Sequence, residues 1–141
     1  MRVIVFVKAT ADSEAGTLPS IELLEAMGKY NEELVNAGIM QAGEGLKPSK
    51  EGRRVVFEGA SRTVVEGPFP ATGELVCGFW IWNVKTLDEA IEWVKRIPNP
   101  DGTDGVVEIR PVFEADDFGD SLTPEMREQE ARLREQAEAN R

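Results

Sequence analysis

The sequence of 141 residues contains no histidine and a single cysteine. The absence of histidine removes the usual general base near neutral pH, the usual zinc ligand and the usual pH-sensitive side chain. One cysteine excludes an internal disulfide and a thiolate metal cluster. We therefore expect no metal centre and no cofactor, and the lone thiol favours a reducing, cytoplasmic environment.

Long apolar runs and basic side chains are also scarce. The apolar run at the start, residues 3–7, is too short for a signal peptide, and no run approaches the roughly 20 residues of a membrane span. The 16 basic and 26 acidic side chains give a net charge of −10. Such a chain repels nucleic acid and anionic membranes. Neither is expected as a partner.

The negative charge is concentrated near the C-terminus. Residues 114–141 hold nine acidic and four basic side chains, which is half of the net charge. Their apolar content is thin, so this segment is typical of an appendage to a globular body. We predict a domain at 1–119 and a charged helical tail at 120–141.

Hydrophobic periodicity predicts a β-α-β unit, a hairpin and a second β-α-β unit. A helix begins after Ser20 as its N-cap, and its predicted apolar face consists of Leu23, Met27, Tyr30 and Leu34. Thr86 with Glu89 matches a capping box at the start of another helix. Residues 10–19 are predicted as a loop, and Thr123 precedes the tail helix. The predicted strands span 2–8, 39–46, 53–58, 62–66, 75–84 and 106–112. This order is a ferredoxin-like α+β fold with an extra hairpin.

The strand at 75–84 is apolar on both faces. Helices packed on one side of a sheet cover only that side, so the other side needs a second cover. The economical cover is the sheet of another copy. We predict a homodimer by sheet-on-sheet packing, with a ligand cavity between the sheet and the partner.

Several segments together carry a family resemblance. Glu66-Gly67-Pro68-Phe69 is the most distinctive of them, and the others lie at 8–14, 27–34, 42–49, 74–80, 89–96 and 108–114. In these the chain is similar to the YCII-related, or DGPF, family over about residues 1–119. The resemblance implies a dimeric α+β barrel of the ferredoxin-like kind, in some relatives associated with sigma factors. The family signature begins with Asp where this chain has Glu66. A His–Asp pair used in other branches has no counterpart here.

Two carboxylates are candidate catalytic groups. Glu66 precedes the Gly-Pro turn, where a cavity mouth could raise its pKa toward that of a general base. The alternative is a plain turn in which Phe69 plugs the core. Glu44 stands between Gly43 and Gly45, which allow either close approach to a ligand or a β-bulge.

Aromatic and basic side chains supply candidate ligand contacts. Trp80 and Phe69 suit a pocket wall, with core or dimer packing as the alternative reading of Trp80. Arg110 suits an anchor for a carboxylate or phenolate, or an ion pair with Glu108. We predict a small-molecule-binding protein, possessing at most cofactor-free acid/base chemistry. The alternative is a non-catalytic regulatory or interaction protein associated with a sigma factor.

Overall fold

The structure, a computed structural model, describes all residues from Met1 to Arg141. The chain is an α+β protein that divides into two compact units, Met1–Pro111 and Val112–Arg141. In the first unit the strands are β1 (Arg2–Lys8), β2 (Met40–Gly45), β3 (Arg53–Glu58), β4 (Ser61–Glu66), β5 (Val76–Asn83) and β6 (Val107–Pro111). Its helices are α1 (Ala11–Glu14), α2 (Ile21–Asn36) and α3 (Leu87–Lys95), and the second unit contains α4 (Pro124–Ala139).

Four strands form one open antiparallel sheet. They lie in the order β2-β5-β1-β6, and the sheet does not close into a barrel. The register pairs Val5 with Trp80 and Phe6 with Phe79. Because alternate residues of a strand point to opposite faces, each central strand presents apolar side chains on both sides.

The two faces of this sheet are buried to different degrees. The face toward the helices contains the core, whose largest fully buried side chains are Trp82, Leu34, Val3 and Val5. The opposite face, called here the open face, carries Ile4, Phe6, Phe79 and Ile81, all only partly buried. Within this unit, the residues of α2 and α3 that belong to the core pack against the first face only.

Helices α2 and α3 form where the sequence indicates. The Ser20 side chain accepts a hydrogen bond from the Leu23 N–H, and Thr86 does the same for the Glu89 N–H. The Glu89 carboxylate accepts from the Lys85 N–H rather than from the cap residue, so only half of the predicted capping box is present. Both caps satisfy N–H groups that have no partner inside the helix.

Tyr30 joins the two helices across the core. Its ring packs edge-on against Trp80 and Trp93, and its hydroxyl donates to the Trp93 carbonyl oxygen at 2.6 Å. Burial raises the pKa of this phenol. The predicted helical face at this position is thus the face that meets the sheet.

The hairpin β3–β4, called here the arm, is a separate two-stranded sheet. Every residue of both strands is exposed. The arm is anchored at its base, where the Gly67 N–H donates to the Gly52 carbonyl oxygen at 3.1 Å. A Cβ on Gly67 would overlap the carbonyl oxygen of Ser49, so this position accepts only glycine without a backbone shift.

The predicted loop at 10–19 contains a helix that the sequence reasoning missed. Thr10 caps α1, and Thr10 and Ser13 exchange side-chain and backbone hydrogen bonds as a capping box. The loop prediction was wrong here because one turn is too short to show apolar periodicity. Its capping residues are the only local signal.

The second unit contains a short 3₁₀ segment, Ala115–Ser121, and α4. Thr123 caps α4 and Pro124 occupies its first turn, as predicted. No residue of α4 is buried. The division into compact units falls at Val112, and the domain bounds of 1–119 and 120–141 stay a prediction.

Candidate functional site

A cavity of about 370 Å³ lies between α2 and the β2–β5 edge of the sheet. This volume is within the range of small-molecule sites. Its walls are mainly apolar and include two methionines, whose flexible thioethers adapt to different shapes. The side chains and backbone that form these walls belong to Val7, Pro19, Met27, Asn31, Met40, Gly43 and Trp80, with Glu44, Gly45, Cys77, Gly78 and Phe79 at the β2–β5 border.

Trp80 is the central aromatic group of this cavity. Its indole Nε1 donates to Asn31 Oδ1 at 2.9 Å. Because an indole N–H can only donate, this bond fixes the orientation of the amide and leaves Asn31 Nδ2 as a donor. No hydrogen bond from Nδ2 to the protein is present, so a ligand in the cavity could accept from it.

Gly43 makes room for the Trp80 ring. A Cβ at this position would lie 2.6 Å from Trp80 Cδ1 and 3.0 Å from the Met40 methyl carbon. The close approach anticipated from this glycine is therefore to an indole of the same chain. The alternative reading, a bulge at these glycines, was wrong: Gly43, Glu44 and Gly45 pair regularly with β5, and the register shift of β2 lies between Met40 and Ala42.

Glu44 borders the cavity, but the register directs its side chain to the other side of the sheet. It pairs with Phe79, which in turn pairs with Phe6 on the open face. The residue is exposed and its carboxylate makes no ion pair. Glu44 and Trp80 are thus neighbours in the structure, while their side chains occupy opposite faces.

Glu66 and Phe69 are located on and beside the arm. Glu66 pairs with Arg53 across the hairpin, at 3.8 Å, and its side chain is 77% exposed. Phe69 is half-buried beneath the Arg54 guanidinium, 4.0 Å from the ring centroid. Neither residue lines the cavity, and Phe69 does not belong to the core cluster. The interpretation of Phe69 as a core plug was wrong, because the turn leaves it outside the helix–sheet layer.

The turn that follows the arm is tied to α1 through Ser49. The Ser49 hydroxyl donates to Glu14 Oε2 at 2.5 Å, and its N–H donates to Oε1 at 2.9 Å. The same hydroxyl accepts from the Phe69 N–H at 3.0 Å. The two bonds from Ser49 hold the pKa of Glu14 below its ordinary value. We call this cluster of Glu14, Ser49 and Phe69 the latch.

Arg110 lies at the other edge of the open face. It pairs in register with Ile4 on β1, is exposed and makes no ion pair. The suggested pair with Glu108 is absent, because Glu108 instead lies 3.8 Å from Lys8 Nζ. Arg110 therefore does not contribute to the cavity.

Cys77 is a half-buried free thiol whose Sγ lies 3.6 Å from the Lys8 carbonyl oxygen. Burial raises its pKa, which lowers the thiolate fraction at neutral pH. No group of three or more side chains is arranged to hold a metal ion. No helix has the length and apolarity needed to span a membrane.

Asn31, Met27 and Met40 are among the cavity residues that the sequence analysis did not select as site residues. Asn31 follows Tyr30, so it lies at the border of the helical stripe that contains Met27. The sequence feature that could have identified Asn31 as a site residue is a polar side chain at the border of an apolar stripe. Its meaning depends on Trp80, which is remote in sequence.

The comparison with protein families identifies the domain. The profile of the YCII-related domain matches residues 1–116. The chain belongs to the YCII-related family. An uncharacterized protein of Rhizobium meliloti (strain 1021) is 28% identical to this YCII-related chain over 78 residues. The match covers 55% of this chain and 63% of the relative, so the chain spans less than two thirds of that relative's length.

Proposed function

We propose that the cavity beside Trp80 binds a small, uncharged and largely apolar molecule that carries one hydrogen-bond acceptor. The observation that carries this proposal is the Asn31–Trp80 hydrogen bond, which orients Nδ2 as a donor without a protein partner. Burial of a ligand against Met27, Met40 and Trp80 supplies the apolar contribution to affinity. A single oriented amide then supplies selectivity.

The charges around the cavity argue against an anionic ligand. No lysine or arginine lines it, and its only acidic residue is Glu44. A carboxylate would lose its hydration without gaining a cation. The earlier hypothesis of an organic acid anchored by Arg110 is therefore replaced by an uncharged ligand.

Two matched probes test this proposal: acetophenone and benzoate, titrated against the ¹⁵N-labelled protein. The three tryptophan indole N–H signals, assigned with Trp80→Phe, report on the cavity. We expect acetophenone to shift the Trp80 signal saturably and benzoate to bind at least tenfold more weakly. Equal affinity for benzoate would contradict the uncharged ligand, and no shift with any probe at millimolar concentration would contradict the cavity.

Asn31→Asp isolates the proposed donor. The carboxylate can still accept from Trp80 Nε1, whereas the Nδ2 donor is lost. Acetophenone affinity should fall about three- to tenfold, the scale of one net hydrogen bond. Asn36→Asp, at the exposed end of the same helix, makes the same charge change and should leave affinity unchanged.

The proposal includes a ferredoxin-like domain that pairs through its open faces into a homodimer. The all-antiparallel order β2-β5-β1-β6, with α2 after β1 and α3 after β5, supports this topology. The half-buried apolar row of the open face supports pairing. Its two edges carry Glu44 and Arg110, charges of opposite sign that a two-fold-related copy would bring together.

Sedimentation at micromolar concentration tests the dimer. A 15.6 kDa species would contradict it. Glu44→Arg and Arg110→Glu should each weaken association, and the double variant should restore it. Failure of the double variant to recover would contradict this edge pairing while leaving the dimer itself in place.

Acid/base chemistry is a second candidate, in which the Glu44 carboxylate would act from the open face of the sheet, where the register directs its side chain. If a turnover is found, Glu44→Gln should reduce it by about 10²-fold or more. Glu66→Gln serves as the comparison, since Glu66 lies on the arm. Full activity in the double variant would contradict a carboxylate mechanism.

A further inference from the structure

The arm exposes more apolar surface than a free hairpin should. The register places Val55 opposite Val64 and Phe57 opposite Arg62 on one side, called here the arm face. Phe57 is 69% exposed, Val64 63% and Val55 52%. An isolated two-stranded hairpin is marginally stable in water, and contiguous exposed apolar residues mark interaction sites.

The other side of the arm has a partial cover from its own chain. There Arg54 stacks on Phe69, and Val56 and Val65 are less exposed than the residues of the arm face. On the arm face the only such contact is internal, since the Arg62 guanidinium lies 4.1 Å from the Phe57 ring centroid. The arm face is therefore the side that needs an occupant.

Charge indicates what the occupant is. The arm holds three arginines and two glutamates, whereas the rest of the chain holds 13 basic and 24 acidic side chains. A basic, apolar surface on an acidic protein is complementary to a second copy of the same chain. The chain offers surface of the matching kind, for example Ile21 and Leu24, exposed beside Glu22 and Glu25 on α2.

We propose that the arm face docks on a second copy of this chain, and that the two copies exchange arms by two-fold symmetry. The centre of this docking surface is Phe57, whose ring is stacked with Arg62, because aromatic and arginine side chains contribute most to interface affinity. This inference rests on the homodimer proposed above and assigns the arm to it.

Site-specific photocrosslinking tests the arm directly. The photoreactive p-benzoylphenylalanine replaces Phe57, and equal amounts of ¹⁴N- and ¹⁵N-labelled chains are mixed before irradiation. We expect mixed-isotope covalent dimers. The same substitution at Leu133 of α4, which is also exposed, measures chance encounters and should give a much lower yield.

The possible outcomes separate the arm from the dimer. A monomer in sedimentation would overturn both proposals. Two results in a dimer would overturn the docking of the arm face and leave the open-face dimer intact. The photoreactive residue at position 57 would cross-link only within its own chain, or its yield of cross-links between chains would not exceed the yield from position 133. Cross-linking in cell extract to another protein, with none between purified copies, would also overturn it.

Variants of the arm face give an independent measurement. Phe57→Ser with Val64→Ser should raise the dimer dissociation constant about tenfold or more. Leu133→Ser with Met126→Ser removes two exposed apolar side chains from α4 and should leave that constant unchanged. An unchanged constant in the arm variant, with the folded spectrum retained, would overturn the proposal.

Discussion

The four-stranded sheet and the arm are built from similar residues and have opposite environments. Both are rich in valine and contain phenylalanine, yet Val3 and Val5 in β1 are fully buried, whereas all of β3 and β4 is exposed. The difference is that α2 and α3 cover one face of the sheet. Strand propensity thus specifies the extended backbone, while burial, and with it stability, comes from the layer packed against it.

The sheet and the arm are also held in place by different interactions. The sheet is stabilised by its apolar core, but the arm is fixed at its base by the latch and by the close packing of Gly67 on Ser49. Substitutions in the core should therefore change global stability. Substitutions at the latch should act on the arm and its neighbouring turn.

The largest effect is expected in the core. Trp82→Ala removes a fully buried indole and should lower the free energy of unfolding by about 3–5 kcal/mol. Phe57→Ala in the arm should change it by about 0.5 kcal/mol or less when measured on the monomer. Urea unfolding of both variants checks the contrast, and equal losses would contradict it.

Gly67→Ala should have the next largest effect. Its Cβ would meet the Ser49 backbone, and the forced shift should cost about 1–3 kcal/mol. Amide hydrogen exchange should show lost protection in the arm before the four-stranded sheet. Gly73→Ala is the matched control, because nothing lies within 4 Å of a Cβ there. Equal behaviour of the two variants would show that the Gly67 contact is unimportant.

The latch should make stability depend on pH. Because the folded pKa of Glu14 lies below its ordinary value of 4.5, its contribution is present above that value and is lost as the pH falls through the folded pKa. Glu14→Gln should therefore lower Tm at pH 7 and approach the wild type below about pH 4. Glu25→Gln, on the exposed side of α2, should show no such convergence. A pH-independent difference for Glu14→Gln would exclude the charge as its cause.

The smallest effect on the body is expected from the tail. Deletion of residues 121–141 removes α4, in which no residue is buried. The remaining chain should melt cooperatively, with Tm shifted by only a few degrees. Differential scanning calorimetry checks this, and a broad, non-cooperative transition would show that the tail belongs to the core.

Sequence alone was most informative about the regular elements. The cap at Ser20 and the stripe through Tyr30 and Leu34 predicted α2, and alternation predicted both faces of β5. The helix α1 was not predicted, because a single helical turn is too short to show apolar periodicity. Site prediction was weaker: Glu44 and Trp80 border one cavity, while Glu66, Phe69 and Arg110 lie elsewhere.

The sequence by itself determined the α+β order, the absence of histidine chemistry and the family, because these depend on residue types and local spacing. Only the tertiary structure decided that Asn31 meets Trp80, that Gly43 accommodates an indole and that the arm face is left exposed. Each of these depends on a contact between residues distant in sequence. Local periodicity fixes which face of an element is apolar, but the packing of other elements decides which faces are covered and which side chains meet.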